Sequence, residues 1–148
     1  MNFAPSFAVI NMQNSYQTDL WKLTVSAPWQ LRQVDQCIEI TQPEGMGAIH
    51  ISAARKQKGL VSDDDLRNSA AKELPEGEEL SEAFFGEFTG FSTSYTDWHT
   101  DTFWKKWWLG NRDVMLYLTY NCNRGDEELE LPYAEKLLTH LEPRRTLL

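Results

Sequence analysis

The stretch from Asp97 to Asn123, DWHTDTFWKKWWLGNRDVMLYLTYNCN, constrains this chain more than any other, because it carries four of the six tryptophans. Gly110, Asn111, Arg112 and Asp113 have the composition of a tight reversal, so the stretch predicts two long strands paired antiparallel. Successive strand residues point to opposite faces. The first strand is thereby divided into Trp104, Lys106 and Trp108 on one side and Phe103, Lys105, Trp107 and Leu109 on the other. In the second, Val114, Leu116, Leu118 and Tyr120 alternate with Met115, Tyr117, Thr119 and Asn121. Large rings on both sides require that both faces be covered or that one offer an aromatic patch. With helices on one face only, Trp107, Tyr117 and their neighbours line an exposed groove beside Trp104 and Lys105, and exposed aromatics are enriched at recognition hot spots.

The rest of the chain supplies partners for this pair. Phe7 to Met12 is a short first segment. Trp21, Leu23 and Val25 alternate with polar residues in a half-buried strand that Pro28 ends, leaving Trp29 in a loop over the sheet end. Cys37–Gln42 and Ala48–Lys56 form an antiparallel hairpin around Pro43–Gly47, with Ile49 and Ile51 facing the core and His50 facing away. Ser62 followed by Asp63, Asp64 and Asp65 is a helix start: the serine caps free amides, Asp65 completes a capping box, and the carboxylates face the positive end of the dipole. That helix turns Leu66, Ala70 and Leu74 inward and stops before Pro75. Phe84 to Asp97 reads as a strand or a bent pair, with Gly86 and Gly90 as bulge sites and Phe91, Thr93 and Tyr95 on one side. Pro132 suits the first turn of a final helix whose Ala134, Leu137, Leu138 and Leu141 follow helical spacing up to Pro143; a loose tail follows. The order is β-β-β-α-β-β-β-α, an α+β class with about six strands.

A chain of 148 residues is one domain, able to bury about 70% of the surface its unfolded form exposes. Its net charge of −8 opposes phosphate backbones and excludes nucleic acid as a partner. The run from Glu76 to Glu87 contains no basic residue. Its Glu76, Glu78 and Glu79 form a candidate contact surface for a cationic partner. The first lysine or arginine is Lys22 and the early apolar pieces are short, so neither a signal peptide nor a membrane span is expected. Cys37 and Cys122 lack metal-ligand spacing and read as reduced, buried thiols of a cytoplasmic protein.

Chemical motifs are sparse. Neither serine nor cysteine stands in a nucleophile elbow, and GxxxxGK[ST], GxGxxG and HExxH do not occur. No catalytic, cofactor-binding or metal-binding residue is assigned. His99, inside DWHTD, lies in the most enzyme-like stretch, because a carboxylate beside a histidine can orient its tautomer.

The strand WKLTVSAPWQL, the hairpin ending IHISAARK, the capped helix, the pair GFSTSYT and FWKKWWLGNRDVMLYLTYNC, and the closing helix AEKLLTHL together resemble Mog1/PsbP-like domains from about Leu20 to Leu141. The resemblance implies an α/β/α sandwich with a central antiparallel sheet and a binding or assembly role. Some bacterial relatives are found near secretion or toxin systems, and there are no family catalytic residues to carry over. The expectation is a cytoplasmic, non-enzymatic domain that binds another protein, as an immunity or adaptor protein would. The alternatives are a small-molecule binder or enzyme with a pocket around Trp107, Tyr117 and His99, and a homodimer that buries the aromatic face.

Overall fold

The structure is a computed structural model that describes residues 3–5, 8–11 and 15–144, with side chains from residue 15 onward. The ends of the expected first segment, Phe7 and Met12, and the tail beyond Arg144 lie outside the described residues. The main sheet is antiparallel and is centred on the tryptophan pair. β10 (Thr102–Asn111) and β11 (Val114–Asn123) lie between β7 (Gly47–Lys56) and β9 (Phe88–Asp97). Beyond β7 come β6 (Cys37–Thr41) and β5 (Gln30–Val34), and beyond β9 comes β8 (Ser81–Phe85); β1 (Phe3–Pro5) also pairs with β7. A second antiparallel sheet has the order β12 (Leu141–Pro143), β4 (Trp21–Thr24), β3 (Ser15–Thr18), β2 (Ala8–Asn11).

The fold is thus a mostly-sheet α+β structure with a seven-stranded main path, where about six strands were expected. The additional strands give little apolar signal: β5 has no buried residue, and β3 is four residues long and alternates buried Tyr16 and Thr18 with Ser15 and Gln17. The Phe84–Asp97 segment divides because Gly86, at a φ of 60°, turns the chain between β8 and β9.

Alternation along β10 separates the two cores. Trp107 and Leu109 join Leu116, Leu118 and Tyr120 in a cluster with Trp21, Leu23, Ile38 and Ile49. Trp108 enters a second cluster with Phe91, Leu66 and Ala70, against which Met115 and Tyr117 pack. Helix α1 (Asp63–Ala71) supplies Leu66 and Ala70 to the second cluster, so it covers the Trp108 side. Its Ser62 capping box is complete, and Lys56 Nζ reaches Asp65 at 2.6 Å. Glycines let the helix approach: a Cβ on Gly90 would lie 3.0 Å from Leu66 Cδ1 and 2.1 Å from the Trp108 carbonyl oxygen. Leu74 falls after the helix and is half-buried.

Helix α2 (Glu127–Leu138) and the second sheet cover the Trp107 side together, through Ala134, Leu137, Leu138, Leu23 and Leu141. This helix begins earlier than expected, with Glu127, Glu128 and Glu130 at its positive end and Pro132 inside it. It also ends sooner. Leu141 belongs to β12, whose pairing with Leu23 of β4 takes the chain out of the helical path.

One buried carboxylate ties α2 to the sheet. Glu130 is 5% exposed. It accepts hydrogen bonds from Gly47 N at 2.7 Å, Met46 N at 3.0 Å and the Tyr120 hydroxyl at 3.0 Å. Burial, first, pushes the Tyr120 hydroxyl far above its ordinary value and keeps it a donor. Removing the carboxylate orphans three donors at once. Glu130→Ala is expected to destabilise the fold by about 3 kcal/mol, read as a lower urea midpoint at unchanged m-value.

Candidate functional site

An acidic cleft is built by the loop between α1 and β8. Pro75 O accepts from Glu78 N at 3.1 Å, and Gly77 between them has a φ of 86°, the geometry of a turn that demands a positive φ at its third residue. Leu80 then anchors the loop on the Trp108 cluster. The result is a cleft of about 570 Å³ whose lining includes Glu78, Glu79, Glu82, Ser92, Ser94 and Lys105. Lys105 is already engaged: its Nζ lies 3.2 Å from Glu135 Oε2 on α2 and 5.4 Å from the Trp107 ring centre. Among the described residues, the carboxylates of Glu78, Glu79 and Glu82 make no ion pair with any cation. Beside them runs β8, which pairs only with β9 and leaves its other edge open among the described residues. On it Phe84 is 71% exposed.

A second feature is the part of the α1-side face that this nine-residue helix does not reach. Register places Arg32, Glu39, His50, Thr119, Lys106 and Thr93 in one cross-strand row. Glu39 joins Arg32 Nη2 at 2.8 Å to His50 Nε2 at 3.0 Å. Lys106 Nζ lies 5.1 Å from the Trp104 ring centre and 5.5 Å from that of Tyr95. This patch is polar, half-buried and internally paired.

The structure therefore brings together only part of the expected surface. Glu78, Glu79 and Lys105 share the acidic cleft, while Glu76 is exposed at the turn preceding them. Trp104 belongs to the open face. Trp107 and Tyr117 do not share a groove: Trp107 pairs with Leu118 and is 1% exposed under α2 and the second sheet, whereas Tyr117 pairs with Trp108 and stacks on it at 5.6 Å beside α1. The physical reason is the register, which places Trp108 opposite Tyr117 and so sends Trp107 to the other face. Burial and a hydrogen bond with Glu73 push the Tyr117 hydroxyl well above its ordinary value. His99 lies in an exposed turn where Asp97 Oδ1 accepts its backbone N–H at 3.0 Å, so the carboxylate serves the turn and makes no bond to the imidazole. Next to it, Trp98 is 72% exposed under the Arg124 guanidinium, which also pairs with Asp101 at 2.6 Å.

The open edge of β8 and the clustering of Glu82 with Glu78 and Glu79 were not anticipated. The basic-free Glu76–Glu87 run was the available signal for the charge. Among the described residues, no group of three or more His, Cys, Asp and Glu side chains is placed to hold a metal ion, and no helix is long and apolar enough to cross a membrane.

No protein-family model and no curated protein matches this chain. Among solved structures it is similar to a protein from Bacteroides thetaiotaomicron VPI-5482, at 16% identity and a TM-score of 0.61. The match covers 84% of this chain and 45% of that one, so the chain spans less than half the length of this neighbour. At that identity the likeness is one of fold.

The Glu39 carboxyl is held below its ordinary range, first by the His50 hydrogen bond and further by Arg32. Stability from such a depressed group is complete above the unfolded value of about 4.3 and is lost as pH falls through the lower folded value. Glu39→Gln is expected to cost less than about 1 kcal/mol near pH 6. The gap in melting temperature between variant and wild type should close as pH drops from about 5 to about 3; a gap that widens in acid would exclude this role.

Proposed function

We propose that this chain is a non-enzymatic protein-binding domain that receives an extended lysine- or arginine-rich segment of a partner protein along the free edge of β8. The observation that carries this reading is the coincidence, at one sheet edge, of unpaired strand backbone with three carboxylates that no cation in the described structure neutralises. An open edge accepts an added strand through main-chain hydrogen bonds, and alternate side-chain positions give such pairing its specificity. Here Glu78, Glu79 and Glu82 supply charge complementary to a basic segment, and exposed Phe84 supplies an apolar anchor. The overall charge of −8 adds long-range attraction for the same partner.

In this reading the chain is a cytoplasmic immunity or adaptor protein of the kind found beside toxin or secretion systems, related to the Mog1/PsbP-like α/β/α sandwiches. What supports the kinship is an antiparallel sheet with α1 on one face and α2 on the other. The second sheet beside α2 is an addition to that architecture.

Titration of the ¹⁵N-labelled protein with an extended peptide alternating valine and lysine tests the proposal. Amide shifts should concentrate on Glu78–Phe85. Affinity should fall as salt rises, and the Glu78→Gln/Glu79→Gln/Glu82→Gln variant should bind about tenfold more weakly. Equal binding of a valine–glutamate peptide, or shifts elsewhere on the sheet, would refute it.

A further inference from the structure

We propose that the cleft between the Pro28–Trp29 turn and helix α2 binds a small planar anion, a ring carrying a carboxylate or a phosphate. The site lies by β5 and β6, at the opposite end of the main sheet from β8, and the inference is independent of the β8 edge. The cleft is about 380 Å³, near the small end of ligand sites and suited to one or two rings with an acidic substituent.

Two walls give it a ring-binding character. On one side the turn from Ser26 to Trp29 is closed by the Trp29 N–H donating to Ser26 O at 3.1 Å. Trp29 is partly buried and packs against the main core, which backs the indole on one side. On the other side Tyr133, Lys136, Leu137 and His140 recur at the spacing of a single helical face. Leu137 is buried and Tyr133 is 63% exposed, which leaves a phenol standing beside an apolar floor. A planar ligand entering here meets aromatic and aliphatic surface on both sides.

The charge has the sign opposite to that of the protein. Aspartates and glutamates number 22 against 14 lysines and arginines. Yet among the described residues lining this cleft none is acidic, and Lys136 and His140 both are basic in type. Neither of the two is in an ion pair or side-chain hydrogen bond among the described residues, unlike Lys105, Lys56 and Arg124, whose charges are spent on Glu135, Asp65 and Asp101. Lys136 stands in the last turn of α2, and among the described residues lining the cleft no carboxylate competes with an incoming anion for it. The side-chain amide of Gln42 completes the polar rim.

Isothermal titration calorimetry with indole-3-acetate and with uridine 5′-monophosphate tests the site, each against its neutral counterpart, 3-methylindole or uridine. Saturable one-to-one binding of at least one anion is expected, with Kd between about 10 μM and 1 mM. The two anions tell a carboxylate site from a phosphate site. The neutral counterpart, and the Lys136→Gln variant with the anion, should each bind about tenfold more weakly. Trp29→Ala should abolish binding, but it also removes core contacts. Tyr133→Ala and Lys136→Gln, at exposed positions, therefore carry the decision, with unchanged thermal melting as the control. The proposal is overturned if neither anion gives saturable heat, if the neutral compounds bind equally well, or if both exposed variants bind like wild type. It is equally overturned if the cleft takes a neutral proline-rich peptide in preference to either anion.

Discussion

The constraint on which the rest depends is that two adjacent indoles, Trp107 and Trp108, sit in the middle of a strand and therefore face opposite ways. Each is almost fully buried, at 1% and 2% exposure. A half-covered sheet would leave one of them in water, so the fold needs a layer on each side of β10. The Trp108 side is closed by a short helix that approaches closely because Gly90 and Gly110 present no side chain to Leu66. The Trp107 side needs more area. It recruits α2 and a four-stranded sheet assembled from both ends of the chain, and Phe85 of β8 tilts against Trp107 on the same side at 5.5 Å.

What was legible in the sequence was what local chemistry dictates. The Asp97–Asn123 hairpin, the split of its side chains between faces, the Ser62 capping box and the Ile-rich hairpin all depend on residues within a few positions of one another. Strands such as Gln30–Val34 escaped because their side chains are largely solvated, and pairing with β6 gives them their conformation. The end of α2 was misplaced for a related reason. Leu141 fits helical spacing, but a strand partner far away in sequence claims it. The candidate surface was legible as charge and not as geometry. Glu78 and Glu79 were visible in a run without basic residues, whereas the grouping of Glu82 and the sheet-edge position depend on strand order. The supposed groove joining Trp107 to Tyr117 failed on one residue of register, which in a strand is the difference between two faces.

The two clefts differ in the sign of the charge that lines them. Among the described residues, Glu78 and Glu79 at the β8 end make no ion pair with a cation, and Lys136 and His140 at the β5–β6 end make none with a carboxylate. Between them the open sheet face carries the Arg32–Glu39–His50 pairing and the Lys106 contacts to Trp104 and Tyr95, in which each charge has a neighbour.

The Glu130 hydrogen bonds have a kinetic meaning as well as an energetic one. The one from Met46 N joins positions 84 residues apart, with α1 and five strands of the main sheet between them. Contacts that close so long a loop form late, after the central hairpins have already reduced the entropy of closure. A late contact stabilises the native state more than the transition state, so its main effect falls on the rate of unfolding. The bonds from Met46 and Gly47 to Glu130 are therefore expected to bear on how long the assembled protein persists more than on how fast it assembles.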